Sequence, residues 1–492
     1  MTKNLFKDLI KYIPSLVIPA IVGLISIPIV TRLFLPADYG NYTLVLSTVT
    51  ILTTIVGWLS MSIVRFYPAY EKDKKLDVFY STVLKWLFIS IFGISVLALT
   101  ILLVGKSHIQ GDLYNLILIG IGVFICLSFS QTLLAFLRAK RSVNLYAGFS
   151  IWKSVLAIGF GLILVIIFKF GIEGLLWGTI LSIALILPWL WKKTINKFSL
   201  RKKTSRPLVI EMAKFGFPLV MGNLAYWVLT LSDRYILKFF RGAQEVGIYS
   251  ASYAIGEKSI LFFVSLFTLS AIPLAIRIWE KEGEEKSRIF NTNLTRYFLL
   301  ICLPVVVGIS ILAKPILNIL TGQKYFMGYT ILPFLALSIF LNGSTMGFGN
   351  ALGYYKKTKY IMWSLIIGGS VNLGLNFIFI PKYGYFAAAI TTLIGYIVMV
   401  GLEIYFSKKF FIWKFPFKSM YKIICASGIM GIAIYYLNNI TNFSNFISLI
   451  LGICTGATIY FFILFLFNEF RVKEINEIRL LASKIFQNFR LK

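Results

Sequence analysis

The run VFYSTVLKWLFISIFGISVLALTILLVG (residues 78–105) sets the class of this chain. It holds 28 residues and a single charge, Lys85. A helix of about 20 apolar residues crosses the hydrocarbon core of a bilayer. An aqueous strand or barrel strand of this length would alternate polar and apolar positions, and this run does not. The same pattern recurs on both sides. Apolar runs occupy residues 9–34, 41–66, 78–105, 113–137, 146–168, 172–191, 209–237, 246–276, 293–320, 327–352, 360–380, 384–406, 420–438 and 446–468. These predict an all-α polytopic membrane protein with about fourteen transmembrane helices. The composition agrees. Of 492 residues 58% are hydrophobic, and 14% are charged against roughly 25% in a soluble chain. Mean hydropathy is +0.83. A soluble fold of this size has no means of covering so much apolar surface.

Charge fixes the expected orientation. The formal net charge is +30. With the N-terminus in the cytoplasm and the sides alternating, the inner segments hold 34 of the 49 Lys and Arg, and the outer connections hold 7. Every inner segment exceeds every outer one, as the positive-inside bias requires. The basic balance therefore points to topology and not to nucleic acid. Both termini are expected in the cytoplasm, on a bacterial cytoplasmic (inner) membrane. The first run exceeds the apolar core of a signal peptide and reads as a spanning helix.

Five regions follow. Residues 1–191 form an N-terminal six-helix bundle, 192–208 a basic linker, and 209–406 a second six-helix bundle. Residues 407–468 add two helices. Residues 469–492 form an amphipathic cytoplasmic tail, with Ile475, Ile478, Leu481, Ile485 and Phe489 on one helical face. The linker carries Lys192, Lys193, Lys197, Arg201, Lys202, Lys203 and Arg206. The two bundles repeat each other. Asp38, Gly40 and Tyr42 align with Glu245, Gly247 and Tyr249 at an offset of 207, and Gly171 aligns with Gly384 at 213. Six spans separate the copies, so the repeat is parallel, about an axis along the membrane normal. Two bundles around a central cavity are the expected result.

Eight cations, counted with neither side, remain inside the runs or at their edges. An ionisable group at the bilayer centre costs roughly 2.5–3.5 kcal/mol on insertion scales, so each needs a reason. Lys85, Lys214, Arg296 and Lys314 lie near run ends and are expected to snorkel. Arg65, Lys153, Arg234 and Lys258 are the candidates for a cationic cavity. Asp233 and Glu257 each precede one of these cations. Neighbours in sequence do not face each other on a helix, so pairing with other helices is expected for both. They are the candidates for ion coupling. Glu211 and Glu403 lie near run ends and are expected to be wet. Asn223, Thr230, Asn372 and Asn376 fall at helical spacing and line either the cavity or a helix–helix seam. More cation than anion favours an anionic substrate such as a pyrophosphate. The single His108 and the scattered Cys126, Cys302, Cys425 and Cys454 offer no metal site, and no cofactor or catalytic motif is present.

Several short motifs then resemble a known family. They are Leu35 to Tyr42, Phe215-Gly216-Phe217-Pro218, Asp233-Arg234-Tyr235-Ile236-Leu237, Glu245-Val246-Gly247-Ile248-Tyr249-Ser250, and the stretch 372–384 with Asn376 and Pro381. They are similar to bacterial polysaccharide repeat-unit flippases of the multidrug/oligosaccharidyl-lipid/polysaccharide exporter superfamily. The resemblance runs over nearly the whole chain. It implies transport of an undecaprenyl-pyrophosphate-linked oligosaccharide from the inner to the outer leaflet, with cavity cations on the pyrophosphate. It also implies membrane lipids, a polysaccharide polymerase and other assembly proteins as partners. The alternatives are a lipid II-type flippase, a drug or cation antiporter of the same superfamily, and a membrane glycan polymerase or ligase. An antiporter wants acidic cavity residues. A polymerase or ligase wants a catalytic loop, which the short outer connections do not provide.

Overall fold

The computed structural model describes residues 2–109, 111–195, 204–440 and 443–470. Residues 196–203 of the basic linker and 471–492 of the expected amphipathic tail lie outside the described residues. Among those described there are helices and no strands. An all-helical fold is what lipid demands, because each helix satisfies its own backbone polar groups.

The N-terminal half begins with α1 (Thr2–Leu33), which carries Pro14, Pro19 and Pro28. A second crossing is made by α2 (Pro36–Val56) and α3 (Trp58–Lys72), broken at Gly57. Next come α4 (Leu76–Val104), α5 (Gly111–Ala139), α6 (Val143–Ile166) and α7 (Glu173–Thr194). The pattern then repeats. Another broken crossing, α8 (Arg206–Leu231) and α9 (Asp233–Arg241), is interrupted at Ser232. The continuous element α10 (Ala243–Ile311) reverses at Gly283, where φ is 82°. Phe267 and Phe298 lie 5.9 Å apart across its two arms. After α11 (Ala313–Leu320) come α12 (Leu332–Ser344) and α13 (Met346–Tyr354). The element α14 (Lys359–Lys408) reverses at Gly384. The chain closes with α15 (Phe417–Ile440) and α16 (Asn445–Leu466).

Among the described residues twelve segments are long and apolar enough to cross a membrane, and Lys359–Lys408 is one of them. That segment supplies two arms, and the α10 arm before Gly283 adds another. The protein is therefore a multi-pass membrane protein with the expected number of crossings. Side chains such as Phe92, Val104 and Phe239 stand largely exposed on its outside, as lipid contact requires. One apolar core joins Leu44 to Val220, and another joins Ile27 with residues from Ile255 to Leu464.

Gly384 shows why the second reversal falls where it does. Its φ of 55° is left-handed, and a Cβ there would lie 2.0 Å from Glu245 Oε2. That carboxylate accepts the Tyr385 backbone N–H at 2.9 Å and pairs with Arg241 Nε at 2.8 Å. The acid of the second repeat thus caps the returning arm of α14.

Three expectations change. Arg296 does not snorkel. It is buried, with Nε 2.6 Å from Glu469 Oε1 and Nη2 2.5 Å from the Glu469 carbonyl. The chain after α16 folds back and brings the acid to it. The ninth run does not continue to residue 320, because the helix breaks at Leu312. Lys314 therefore sits in α11, with Nζ 5.2 Å above the Tyr329 ring. Glu403 is not wet. It is 3% exposed, and its Oε2 has no hydrogen-bond partner among the described residues. A buried, unsatisfied polar oxygen costs about 1–3 kcal/mol. Glu403→Met is expected to raise the thermal midpoint of the detergent-solubilised protein. A lower midpoint would show that the carboxyl has a stabilising partner.

Candidate functional site: a polar seam between the halves

The two repeat segments pack on each other. A Cβ at Gly40 would lie 2.0 Å from the Ala243 carbonyl, and one at Gly247 would lie 1.9 Å from the Pro36 carbonyl. Only glycines permit this approach of α2 and α10. Thr43 Oγ1 donates to Ser250 Oγ at 3.2 Å, so two residues 207 positions apart meet across the pseudo-symmetry. Lys238 Nζ reaches Asn41 Oδ1 at 3.0 Å. Tyr325, between α11 and α12, donates to the Phe34 carbonyl at 3.1 Å. Burial, with Tyr39 and Asp38 nearby, pushes its phenol well above its ordinary value.

Below this contact lies a buried network. Asp233 and Arg234 open α9 and are both buried. Asp233 accepts a short hydrogen bond from Tyr249 on α10 and a second from Thr392 on α14 at 3.3 Å. Pairing with other helices was the expectation for this acid, and its own neighbour is also close: Arg234 Nη1 is 3.6 Å from Asp233 Oδ1. Arg234 Nε donates to Ser250 at 3.1 Å, and Nη1 donates to the Thr230 carbonyl at 2.9 Å. Its guanidinium stands 5.0 Å from the Tyr253 ring centre. The Tyr249 ring, 5.7 Å away, is its fifth contact, and Arg234 does not line the cavity that holds Lys153 and Lys258.

The amide seam is equally closed. Asn372 and Asn376 are fully buried. Asn372 Nδ2 donates to Thr392 at 3.3 Å, Asn376 Nδ2 donates to Asn372 at 3.2 Å, and Thr391 donates to Asn376. They tie the two arms of α14 together. Thr230 is buried and donates back to the Tyr226 carbonyl at 2.9 Å. Asn223 is exposed, with Nδ2 3.8 Å from Met61 Sδ.

Two of the four candidate cations share a cavity. Lys153 of α6 and Lys258 of α10 line a space of about 320 Å³ with Ser26, Thr43 and Thr179. Gly23 of α1 leaves room for Lys258: a Cβ there would meet Nζ at 2.2 Å. Lys258 follows Glu257, which feels the positive charge of both Arg234 and Lys258. No acid lies within ion-pair distance of Lys153 among the described residues. Arg65 is exposed on α3 and is not part of this cavity.

Sequence reasoning missed Thr43, Tyr249, Ser250 and Thr392 as members of the site. Two signals pointed to the first three. Thr43 and Ser250 obey the repeat offset of 207. Tyr249, Tyr253 and Glu257 recur at four-residue spacing and make one polar face of α10. Thr392 sits in the middle of an apolar arm and carries no such signal.

The two halves of this multi-pass membrane protein thus meet at a seam of buried polar and charged groups. The family profile described as polysaccharide biosynthesis protein matches residues 5–279, more than half of the chain. The chain belongs to that family, within the exporter superfamily its motifs resemble. It is 28% identical over 303 residues to an uncharacterised membrane protein of Methanocaldococcus jannaschii, a match covering 60% of this chain and 58% of that one. It is 23% identical over 349 residues to a probable low-salt glycan biosynthesis flippase of Haloferax volcanii, covering 70% and 71%. The fold is that of a lipid II flippase solved in an inward-closed conformation. The TM-score is 0.77 over 92% of this chain and 98% of that one, at 20% identity.

Breaking one partner of a buried ion pair costs about 3–5 kcal/mol, because the other charge is left uncompensated. Asp233→Asn and Arg234→Gln are each expected to destabilise the protein by that order. The double variant is expected to cost clearly less than the two together, read from thermal unfolding in nanodiscs. Additive losses would show that the two charges do not compensate each other.

Proposed function

We propose that the protein flips an undecaprenyl-pyrophosphate-linked oligosaccharide across the cytoplasmic membrane by alternating access, as a transporter and not an enzyme. The observation that carries this reading is the convergence of Lys153 and Lys258 on one cavity. They come from α6 and α10, one in each half of the chain. A pyrophosphate that bridges them draws the halves together. Charge-assisted hydrogen bonds from lysine to phosphate are about twice as strong as neutral ones. The cavity of about 320 Å³ is too small for an oligosaccharide, so the halves must separate to admit one. Arg65, exposed on α3, meets the head group on entry from the cytoplasmic side. The family and the glycan flippase of H. volcanii support the substrate class. The positive-inside count supports cytoplasmic termini. On the far side, a polysaccharide polymerase and other assembly proteins receive the product.

The membrane potential supplies the direction. Moving one charge through it changes the energy by about 2.3 kcal/mol per 100 mV. A pyrophosphate of about two charges leaving an interior-negative cell gains roughly twice that. Returning the emptied lysine pair inward is favoured by the same sign. Cation coupling is the competing arrangement, with Asp233 or Glu257 as the carrier.

Transport of a purified lipid-linked oligosaccharide in proteoliposomes tests both steps. Lys153→Ala and Lys258→Ala are each expected to lower the rate by roughly ten- to hundredfold, as loss of a hydrogen bond to a charged group does. Wild-type rates in both would remove the cavity from the mechanism. Clamping the potential to zero without a pH gradient is expected to slow net flipping. An unchanged rate under the clamp, with inhibition when a proton gradient is collapsed, would transfer the coupling to Asp233 or Glu257.

A further inference from the structure

The connection between α14 and α15 has a composition that the transport reading does not use. Residues 404–468 contain five lysines (Lys408, Lys409, Lys414, Lys418 and Lys422) and no Asp or Glu. The stretch Phe410-Phe411-Ile412-Trp413-Lys414-Phe415-Pro416-Phe417 sets one of these cations, Lys414, among five aromatics. It joins the end of one membrane-crossing arm to the start of the next, which is the depth of lipid headgroups.

The connection is fixed in place. Thr292 Oγ1 donates to the Lys414 carbonyl at 2.7 Å. Phe411 is buried against Tyr354 and Trp279, at ring separations of 5.5 and 6.0 Å. Trp413 lies over Gly347 and 5.5 Å from the Phe348 ring. Two large apolar side chains are nevertheless turned outward: Ile412 is 67% and Phe417 66% exposed. Between them runs a groove of about 400 Å³, walled by Phe348, Ile404, Phe415 and Met420, with Lys408 at its edge. Lys418 follows Phe417 and lines a second hollow that Phe417 shares with the groove. Lys422 is held by Glu469 and the Asn468 carbonyl, and Lys409 stands 4.3 Å above the Tyr405 ring. Lys408, Lys414 and Lys418 have no acidic partner among the described residues.

We propose that this groove is a binding site for one anionic phospholipid, with an acyl chain against Ile412 and Phe417 and the headgroup phosphate among Lys408, Lys414 and Lys418. Charge complementarity chooses the occupant. Juxtamembrane lysines attract anionic lipid, and an apolar slot beside them takes the chain. A soluble acidic protein would leave Ile412 and Phe417 unmatched. The substrate's carrier lipid is not the occupant, because no residue of the groove belongs to the Lys153–Lys258 cavity.

The test is native mass spectrometry of the full chain titrated with phosphatidylglycerol or phosphatidylcholine. One tightly held phosphatidylglycerol is expected, with phosphatidylcholine bound much more weakly. Each lysine near an anionic surface is worth roughly fivefold in binding. Lys408→Gln, Lys414→Gln and Lys418→Gln together are therefore expected to weaken phosphatidylglycerol by about a hundredfold. Phosphatidylcholine binding is expected to stay unchanged, which also reports that the variant is folded. Ile412→Ser is expected to weaken both lipids. Equal affinity for phosphatidylglycerol in wild type and triple variant overturns the site. Displacement of phosphatidylglycerol by equimolar undecaprenyl phosphate, lost in the triple variant, overturns the occupant and gives the groove to the carrier lipid.

Discussion

Everything in the seam depends on the backbone contact of Gly40 with α10 and of Gly247 with α2. Helices in lipid gain nothing from excluding water from one another, so close packing through small residues is what holds them. Here the small residues are the same element of the repeat used twice. Their approach fixes the distance between the halves at one end. It brings Thr43 to Ser250, and Ser250 in turn accepts from Arg234. The glycines thus position a charge that neither of them touches.

That charge illustrates how the protein carries ions through lipid. Arg234 faces Asp233, two aromatic rings, a hydroxyl and a carbonyl. Glu257 lies in the field of both Arg234 and Lys258. The excess of cations seen in the sequence is therefore reduced by internal compensation, and Lys153 supplies most of what is left. A seam near neutrality is held in lipid at lower cost than a bare cationic one.

The helices were legible because lipid imposes a strict length and a strict composition. The repeat was legible in acid, glycine and tyrosine at one offset. What stayed hidden was the rotation of each helix about its own axis. In a soluble helix the apolar stripe points to the core. In these helices nearly all faces are apolar, so nothing distinguishes lipid from protein. Asn372 and Asn376 show the consequence: their spacing marked a polar face but did not reveal that the face closes on the other arm of α14. Arg296 and Glu403 show another. Depth was read from position along a run, while burial was decided by Glu469 folding back from beyond the final helix and by the packing of α14.

The repeat also separates scaffold from function. Thr43 and Ser250, and Gly40 and Gly247, obey the offset of 207 and meet in space. The same offset carries Asp233, Arg234, Glu257 and Lys258 to Ser26, Ile27, Thr50 and Ile51. None of these four is charged. Ser26 lines the cavity and donates to its own helix at Gly23. Ile27 packs in an apolar core, and Thr50 donates back to Leu46. The first half thus keeps the geometry and the second half adds ions to it. A symmetric pair of halves has no reason to prefer one side of a membrane. Charges present in one half only break that equivalence, and they do so where the two halves touch. Lys153 of the first half lines the same cavity as Lys258 of the second.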